Sequence, residues 1–217
     1  MAEEPGHSEP TDYDLLRRAA EGERQAFELV YRRYQQVVYR FARAMTGCPD
    51  AAEDITQEVF MALIKELPRY DPARAGFTTY LYGIARNLSR DQWRRTRRRL
   101  AFEALGLEKR RTSEDPHNLL ERAQAAAHVH CALRGLPVRY REVIVLCDLH
   151  GLAYAEAAHL VRSSVSGVRA RLHRARQLLR RRLGRLLEPA HARQEGPRPG
   201  LSYDPVVDED GFIRRRL

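Results

Sequence analysis

Apolar side chains recur along this chain at intervals of three or four residues, the repeat that places them on one face of an α-helix. Alternating runs rich in valine, isoleucine and threonine, which would indicate strands, are few. In the first half the pattern predicts one helix that begins near Thr11 or Asp12. Three further helices are predicted over 25–46, 50–67 and 79–99. In the second half it predicts helices over 119–134, 138–149, 154–161 and 165–187. The expected fold class is therefore all-α.

A break in the helical pattern after residue 99 divides the chain. The first small helical domain is predicted over residues 11–99 and the second over 119–188, joined by a flexible linker over 100–118. Residues 189–217 form a tail without an assigned role. Its segment YDPVVDEDGF combines acidic and apolar residues, which leaves two alternatives open. The tail folds against a basic face of either domain, or it is a disordered passenger.

Charge and composition narrow the class of partner. The 217 residues carry a formal net charge of +9, which favours a polyanion, although an anionic membrane surface would attract the same charge. The chain holds no apolar run of membrane-spanning length, and its polar, acidic start is unlike a secretory signal. We therefore expect a cytoplasmic protein without a membrane span. Three scattered cysteines are typical of reduced thiols rather than of a disulfide framework.

One helix face is acidic although the chain as a whole is basic. Asp50 and Glu53 have the spacing of a capping box and are predicted to open the third helix. Its outer face carries Glu53, Asp54, Gln57 and Glu58. Such a face is typical of a docking surface for a basic protein, or of a solvated face beside a helix N-terminus. Charge alone leaves both interpretations open.

Aromatic residues stand beside a basic face where the fourth predicted helix begins. The rings are Tyr70, Phe77, Tyr80 and Tyr82. The polar side of the helix carries Arg86, Asn87, Arg90, Asp91, Arg94 and Arg95. Rings of this kind stack on unpaired bases while arginines follow the backbone, as in proteins that hold single-stranded nucleic acid. The alternative is that the rings close a core, and we expect some to be core and one or two to be exposed.

The last two predicted helices have the spacing of a helix-turn-helix. A short helix over 154–161 is followed after a few residues by an arginine-rich segment, 162–185. Its apolar positions form one stripe, namely Val165, Val168, Leu172, Ala175 and Leu179. Ser164 is predicted to cap the second helix. Arginine guanidinium groups suit phosphates and guanine edges, so the pattern predicts a helix that reads duplex DNA in the major groove.

Catalytic and metal-binding patterns are weak. The chain has no glycine loop that would cradle a phosphate, no nucleophile elbow and no pair of carboxylates isolated among apolar residues. His128, His130 and Cys131 are candidate metal ligands, but helix positions two apart point to different sides and no second ligand pair follows. We therefore expect neither a metal site nor a cofactor, and no enzymatic activity.

Five stretches of the chain carry a family resemblance. In the first domain they are AFELVYRRYQQVVYRFA, AAEDITQEVFMALI and YDPARAGFTTYLYGIARNLSRDQWRRTRRR. In the second they are ALRGLPVRYREVIVLCDLHGLAYAEAA and VRARLHRARQLL. In this order they resemble the bacterial RNA polymerase sigma factors of the extracytoplasmic-function (ECF) group over residues 14–187. The resemblance implies a factor that binds core polymerase and directs promoter recognition and opening.

The same resemblance implies roles for single residues. The docking residues for a coiled coil of the polymerase's largest subunit are Asp54, Gln57, Glu58 and Phe60. The residues that open the promoter and hold its non-template strand are Tyr70, Phe77, Tyr80, Asn87, Arg90, Asp91, Arg94 and Arg95. The residues that contact the upstream element as duplex are Ser164, Ser166, Arg169, Arg171 and Arg174. Phe77 and Tyr80 are the candidate rings for capturing an unstacked base, with Tyr80 where the family usually has tryptophan.

The helix-turn-helix departs from the family pattern in its turn and its cap. Arg162 stands where the family usually has glycine, a residue that adopts positive φ at little cost. Ser163 replaces an apolar residue, and Ala153 replaces a serine that caps the preceding helix. Ser166-Gly167 stands where the family has Gly-Thr. These changes bear on the register of base reading more than on phosphate contact, which needs no glycine in the turn.

Partners follow from the resemblance, and two rival functions are kept beside it. The resemblance implies core RNA polymerase and promoter DNA as partners, with an anti-sigma protein as a further candidate, and a monomer outside the polymerase complex. The first rival is a stand-alone helix-turn-helix regulator, which would dimerise and bind palindromic duplex without polymerase. The second is an enzyme acting on nucleic acid, which the missing catalytic cluster disfavours.

Overall fold

The computed structural model describes residues 10–104, 120–187, 206–207 and 213–214. The helices are α1 (Asp12–Ala20), α2 (Arg24–Thr46), α3 (Pro49–Glu66), α4 (Phe77–Ala104), α5 (Leu120–Arg134), α6 (Val138–Val143), α7 (Tyr154–Val161) and α8 (Val165–Leu187). A 3-10 turn, Leu67–Arg69, follows α3, and a π-helical turn, Ile144–Leu149, follows α6. The helices form two clusters, α1–α4 and α5–α8, which confirms the all-α expectation. Two short strands, β1 (Val206–Val207) and β2 (Ile213–Arg214), pair antiparallel in the tail and were not expected.

The first cluster is built around α2, which contacts α1, α3 and α4. Val30, Val38 and Phe41 recur at helical spacing along α2, and all three are fully buried against the neighbouring helices. The Thr11 hydroxyl accepts a hydrogen bond from the Asp14 amide over 3.2 Å and so caps α1, whose start agrees with the predicted one. A helix that is apolar along one side therefore becomes the centre of this domain.

The second cluster packs α8 against α5, α6 and α7. Its core includes a buried guanidinium, that of Arg141 on α6. Arg141 donates to the backbone carbonyls of Leu133, Arg134 and Leu136 over 2.9, 2.5 and 3.1 Å, and so holds the turn between α5 and α6. Burial lowers the pKa of Arg141 to about 10, so the side chain remains charged at neutral pH.

Two predictions about helix ends are wrong. The helix α3 begins at Pro49 with Cys48 as its N-cap residue, so Asp50 and Glu53 lie inside the helix and do not form the expected capping box. The helix α4 continues to Ala104, beyond the expected end at residue 99. Arginine, leucine, alanine and glutamate continue a helix by intrinsic propensity after its apolar stripe has ended. The predicted linker beyond 104, and the tail apart from its two strands, lie outside the described residues.

The two clusters contact each other along α4 and α2. Arg141 Nη1 donates to the carbonyl of Met45 near the end of α2, over 2.5 Å. Gly47, which ends α2 at φ +72°, lies against the side chain of Arg134, the last residue of α5. None of the helices over 10–104 and 120–187 combines the length and the apolar character that a bilayer span requires.

Candidate polymerase and nucleic-acid interfaces

The acidic face of α3 is exposed, as the docking hypothesis requires. Ile55, Val59 and Leu63 are buried on one side of the helix, which turns Asp54, Gln57 and Glu58 to the surface. The remaining predicted docking residue, Phe60, differs from these three because it is buried.

Phe60 lies in the core rather than on the docking surface. Its ring makes edge-on contacts with Tyr31 and Phe27, at centroid distances of 4.8 and 6.5 Å. Phe60 therefore holds α3 against α2 and fixes the direction of the acidic face. The sequence reasoning grouped it with the surface residues because it shares their motif.

A shallow cleft between α3 and α4 brings together residues that the sequence assigned to different partners. Asp54 and Glu58 of α3 line it together with Asp91 and Arg95 of α4. Docking and promoter residues therefore share one edge of the first cluster. A polymerase element seated on α3 would lie directly beside the end of α4.

Of the predicted stacking rings, Phe77 and Tyr82 are buried and Tyr70 and Tyr80 are half-buried, so the expectation that one or two would be exposed is not met. Phe77 is 7 % exposed and contacts the rings of Tyr34 and Tyr70, with centroids 4.9 and 5.5 Å away. Tyr70 and Tyr80 form a half-buried pair with centroids 5.1 Å apart. The Tyr80 hydroxyl donates to Glu66 over 3.1 Å, and burial together with that carboxylate raises its pKa to about 12. In this conformation the half-buried pair, rather than Phe77, is accessible to a base.

The polar residues of α4 fall on two adjoining faces. Asn87, Asp91, Arg94 and Arg95 are exposed, and Arg94 is paired with Asp91 over 2.7 Å. Arg90 lies on the neighbouring face, where its guanidinium contacts Glu142 of α6. The first set is open to a nucleic acid, whereas Arg90 is held by the second cluster.

The sequence reasoning missed Glu142 and did not include Arg86 among the site residues. Glu142 is 2 % exposed and lies 3.1 Å from Arg86 Nε, and Arg86 is itself 8 % exposed. A signal was present in the sequence, because Glu142 stands in the apolar run from Tyr140 to Leu146. A carboxylate buried in such a run needs a cationic partner, although the sequence does not say which one.

The helix-turn-helix forms with the predicted turn and cap. Arg162 adopts the left-handed conformation, φ 51° and ψ 57°, as expected for a turn position that glycine would occupy at little cost. Ser164 Oγ accepts the Gly167 amide over 3.0 Å and caps α8 as predicted. At the N-cap of α7 the Glu156 carboxylate accepts the Ala153 amide over 3.0 Å, which compensates in part for the missing serine.

Most of the predicted duplex contacts on α8 face outward. Ser164, Ser166, Arg169 and Arg174 are exposed and Arg171 is half-buried, while Val168, Leu172 and Ala175 are buried against the rest of the second cluster. The Arg169 guanidinium lies over the ring of Tyr154, 5.7 Å from its centroid. This side of the helix-turn-helix presents cations without a competing carboxylate in contact with Arg171 or Arg174 among the described residues.

Metal coordination finds no support in the described part of the chain. Over 10–104 and 120–187 the structure brings together no group of three or more histidine, cysteine, aspartate or glutamate side chains in positions that could hold an ion. Within α5, His130 is half-buried and Cys131 is exposed. Burial, with a smaller contribution from Arg43, lowers the pKa of His130.

Comparison with known proteins places both clusters in one family. Residues 30–99 match the family model for sigma-70 region 2, and residues 127–179 match that for sigma-70 region 4. The chain is 32 % identical over 171 residues to the ECF RNA polymerase sigma factor SigD of Mycobacterium tuberculosis, with 76 % of this chain and 81 % of SigD covered. The chain belongs to the ECF RNA polymerase sigma factors. Sigma factors of this kind direct RNA polymerase to promoters and are not enzymes.

Other relatives agree with this assignment. The sigma factor is 37 % identical over 156 residues to SigE of Mycolicibacterium smegmatis, a match that covers 70 % of this chain and 59 % of SigE. Among solved structures, that of CnrH in complex with the cytosolic domain of CnrY matches with a TM-score of 0.61 and 28 % identity, covering 80 % of this chain and 97 % of CnrH. The sigma factor RpoE of Bartonella quintana, solved with the anti-sigma factor NepR, shares the fold at a TM-score of 0.59 and 23 % identity, covering 73 % of this chain and 96 % of RpoE.

Proposed function

We propose that this sigma factor docks on core RNA polymerase through the exposed acidic face of α3. The observation that carries the proposal is the orientation of the face: Asp54, Gln57 and Glu58 point outward because the opposite side of the helix is locked into the core. Phe60 contributes by fixing that orientation. An acidic surface on a chain of net charge +9 suits a basic protein partner and repels DNA.

The promoter is opened at the neighbouring edge of the same cluster. Tyr70 and Tyr80 offer a half-buried aromatic pair on which an unpaired base of the non-template strand stacks. The exposed Asn87, Arg94 and Arg95 lie farther along α4 and hold the strand by base edges and phosphates. Asp91 positions Arg94 through their ion pair. Phe77 supports the aromatic pair from inside the core.

The second cluster anchors the upstream promoter element as duplex. Ser164 and Ser166 at the start of α8, followed by Arg169, Arg171 and Arg174, form its contact surface in the major groove. The pairing of Arg169 with the Tyr154 ring sets the direction of one of these cations. The sigma factor acts in the cytoplasm, where core polymerase and promoter DNA are located.

Control by an anti-sigma protein belongs to the same proposal. CnrH was solved with the cytosolic domain of CnrY, and RpoE with the anti-sigma factor NepR. An anti-sigma protein would bind this chain on its two helical clusters, α1–α4 and α5–α8. Outside these complexes the sigma factor is a monomer.

In vitro transcription tests the proposed function. Core polymerase supplied with the full chain is expected to start transcription on genomic fragments that share two spaced promoter elements. The double variant Asp54→Asn with Glu58→Gln should no longer co-elute with core polymerase, because two charges of the docking face are gone. Glu21→Gln with Glu28→Gln removes the same charge from exposed positions on α1 and α2 and should leave the complex intact.

Two outcomes would contradict the proposal. Full retention of core binding by the α3 double variant would exclude docking through the acidic face. Dimers that bind a palindromic duplex in the absence of polymerase, together with no transcription from the core enzyme, would support the stand-alone regulator.

A further inference from the structure

One face of α4 is covered by the second cluster. Thr79, Gly83, Arg86 and Arg90 recur at intervals of three or four residues and form a single stripe along the helix. At its start the Thr79 hydroxyl donates to Glu156 Oε1 of α7 over 2.9 Å. The helix-turn-helix is therefore seated on the helix that the proposed function assigns to the melted strand.

Close packing continues at the second position of the stripe. A Cβ atom added to Gly83 would lie 3.3 Å from Leu160 Cδ2 of α7, so the two helices approach each other across the bare backbone of Gly83. The approach is close enough that any larger side chain at this position requires Leu160 to move.

A shared carboxylate closes the far end of the stripe. Arg86 Nη2 donates to Glu142 Oε2 over 3.4 Å, and Arg90 Nη1 donates to Glu142 Oε1 over 3.1 Å. Burial lowers the pKa of Arg86, and the carboxylate opposes that shift. Two guanidinium groups of the first cluster therefore share one buried anion of the second.

We propose that Arg86 and Arg90 form a phosphate-binding pair for the melted promoter strand, and that Glu142 occupies the pair in the free chain as an intramolecular substitute for phosphate. The proposal rests on the proposed function of α4. Carboxylate and phosphate oxygens are bound by the same forked donors of arginine, so one anion can replace the other. While Glu142 is bound, Arg86 is buried beneath the second cluster and Arg90 is only partly exposed.

The contact between the clusters combines continuous apolar packing with polar contacts. Its contacts at Glu142 and Glu156 are polar, and interfaces between domains that move are typically more polar than cores. On the α2 side, Arg43 Nη1 and His130 Nδ1 are buried without a hydrogen-bond partner among the described residues, so closure leaves polar groups unsatisfied. Opening hydrates these groups and Glu142, and it releases both arginines to phosphate.

Binding of single-stranded DNA by the full chain tests the proposal. A fluorescein-labelled single-stranded oligonucleotide is titrated in an anisotropy assay without polymerase. Glu142→Gln is expected to bind it more tightly, on the order of tenfold, because a larger fraction of the chain is open. Glu28→Gln makes the same charge change at an exposed site on α2 and should leave the affinity unchanged.

A second experiment changes an arginine partner of Glu142. Arg86→Gln added to Glu142→Gln should abolish the gain and reduce the dependence of affinity on salt, because one phosphate contact is lost. A gain that survives in this double variant would overturn the role of Arg86 as a phosphate ligand.

A third variant separates opening from loss of folding. Gly83→Gln retains Glu142, favours the helix and forces a side chain against Leu160. The radius of gyration from X-ray scattering should increase, and affinity for the oligonucleotide should rise with it. An unchanged radius, or an open chain with unchanged affinity, would overturn the proposal. Transcription by the wild-type chain with core polymerase is measured separately. Failure of the proposal about Arg86, Arg90 and Glu142 is therefore distinguishable from failure of the proposed function.

Discussion

The helices α4 and α8 are both rich in arginine and differ in what their arginines contact. On α8 the side chains of Arg169 and Arg174 face outward, and Arg176 is held by Asp148 of the same cluster over 2.6 and 2.9 Å. On α4 the side chains of Arg86 and Arg90 are held by a carboxylate of the other cluster. A basic helix is thus available to DNA in one domain and partly masked in the other.

The difference arises from where each helix buries its apolar stripe. α8 packs its stripe inside its own cluster, so the opposite side is left to solvent. α4 packs one side on α2 and α3, and on a second side Thr79, Gly83, Arg86 and Arg90 contact side chains of the neighbouring cluster. This leaves a narrower exposed face for Asn87 and Arg94. Whether an arginine is accessible to DNA therefore depends more on the contacts around it than on the local density of charge.

The largest expected effect lies on α8. Arg171→Ala with Arg174→Ala should weaken binding of the upstream duplex by about 2–4 kcal/mol, because two cationic contacts are lost. Arg180→Ala with Arg181→Ala removes the same charge near the end of the helix and should have a smaller effect. Band-shift titrations on duplex promoter fragments measure both. Equal losses in the two variants would show that net charge, rather than the predicted contact surface, determines binding.

A smaller effect is expected from the histidine between the clusters. His150 lies beside the rings of Phe41 and Tyr82, and its Nδ1 atom is 2.7 Å from the Tyr82 hydroxyl. Burial, and secondly the charge of Arg40, lowers the pKa of His150 to about 4. Burial raises the pKa of Tyr82 to about 12, so its hydroxyl remains protonated at neutral pH.

The sign of the pH dependence follows from that lowered pKa. The imidazole binds a proton near pH 6.5 when solvated but only near 4 in the closed chain, so closure is fully favoured above about pH 6.5 and weakens as the pH falls towards 4. The loss amounts to about 2–3 kcal/mol, allowing for partial exposure of the ring. Scattering should show expansion between about pH 7 and 5 in the wild type and less in His150→Gln. Identical profiles would exclude His150 as the cause.

The smallest effect concerns the turn of the helix-turn-helix. Arg162 holds a left-handed conformation in which a Cβ atom costs about 1 kcal/mol relative to glycine. Arg162→Gly should therefore be more stable than Arg162→Ala by about that amount. The two variants carry the same net charge. Chemical denaturation measures the difference. If the two are equally stable, the turn carries no such strain.

Sequence patterns predicted the local structure of both halves well, with instructive exceptions. The stripe of α2, the Ser164 cap and the left-handed Arg162 all depend on neighbours within a few residues, and all three were confirmed. The end of α4 was placed too early because apolar periodicity reports burial, whereas helix continuation depends on propensity. Phe60 was predicted together with the exposed docking residues but is buried, since a motif records which residues occur together and not which way each one faces.

By itself the sequence determined the all-α class, the succession of helices, the helix-turn-helix and the family, because each follows from short-range spacing or from the order of motifs. Only the tertiary structure decided which arginine side chains of α4 and α8 are accessible to DNA. Glu142 is separated from Arg86 and Arg90 by 56 and 52 positions, and nothing local in either segment specifies the pairing. A buried carboxylate must find a cation, but the choice of partner is made by how the two helical clusters meet.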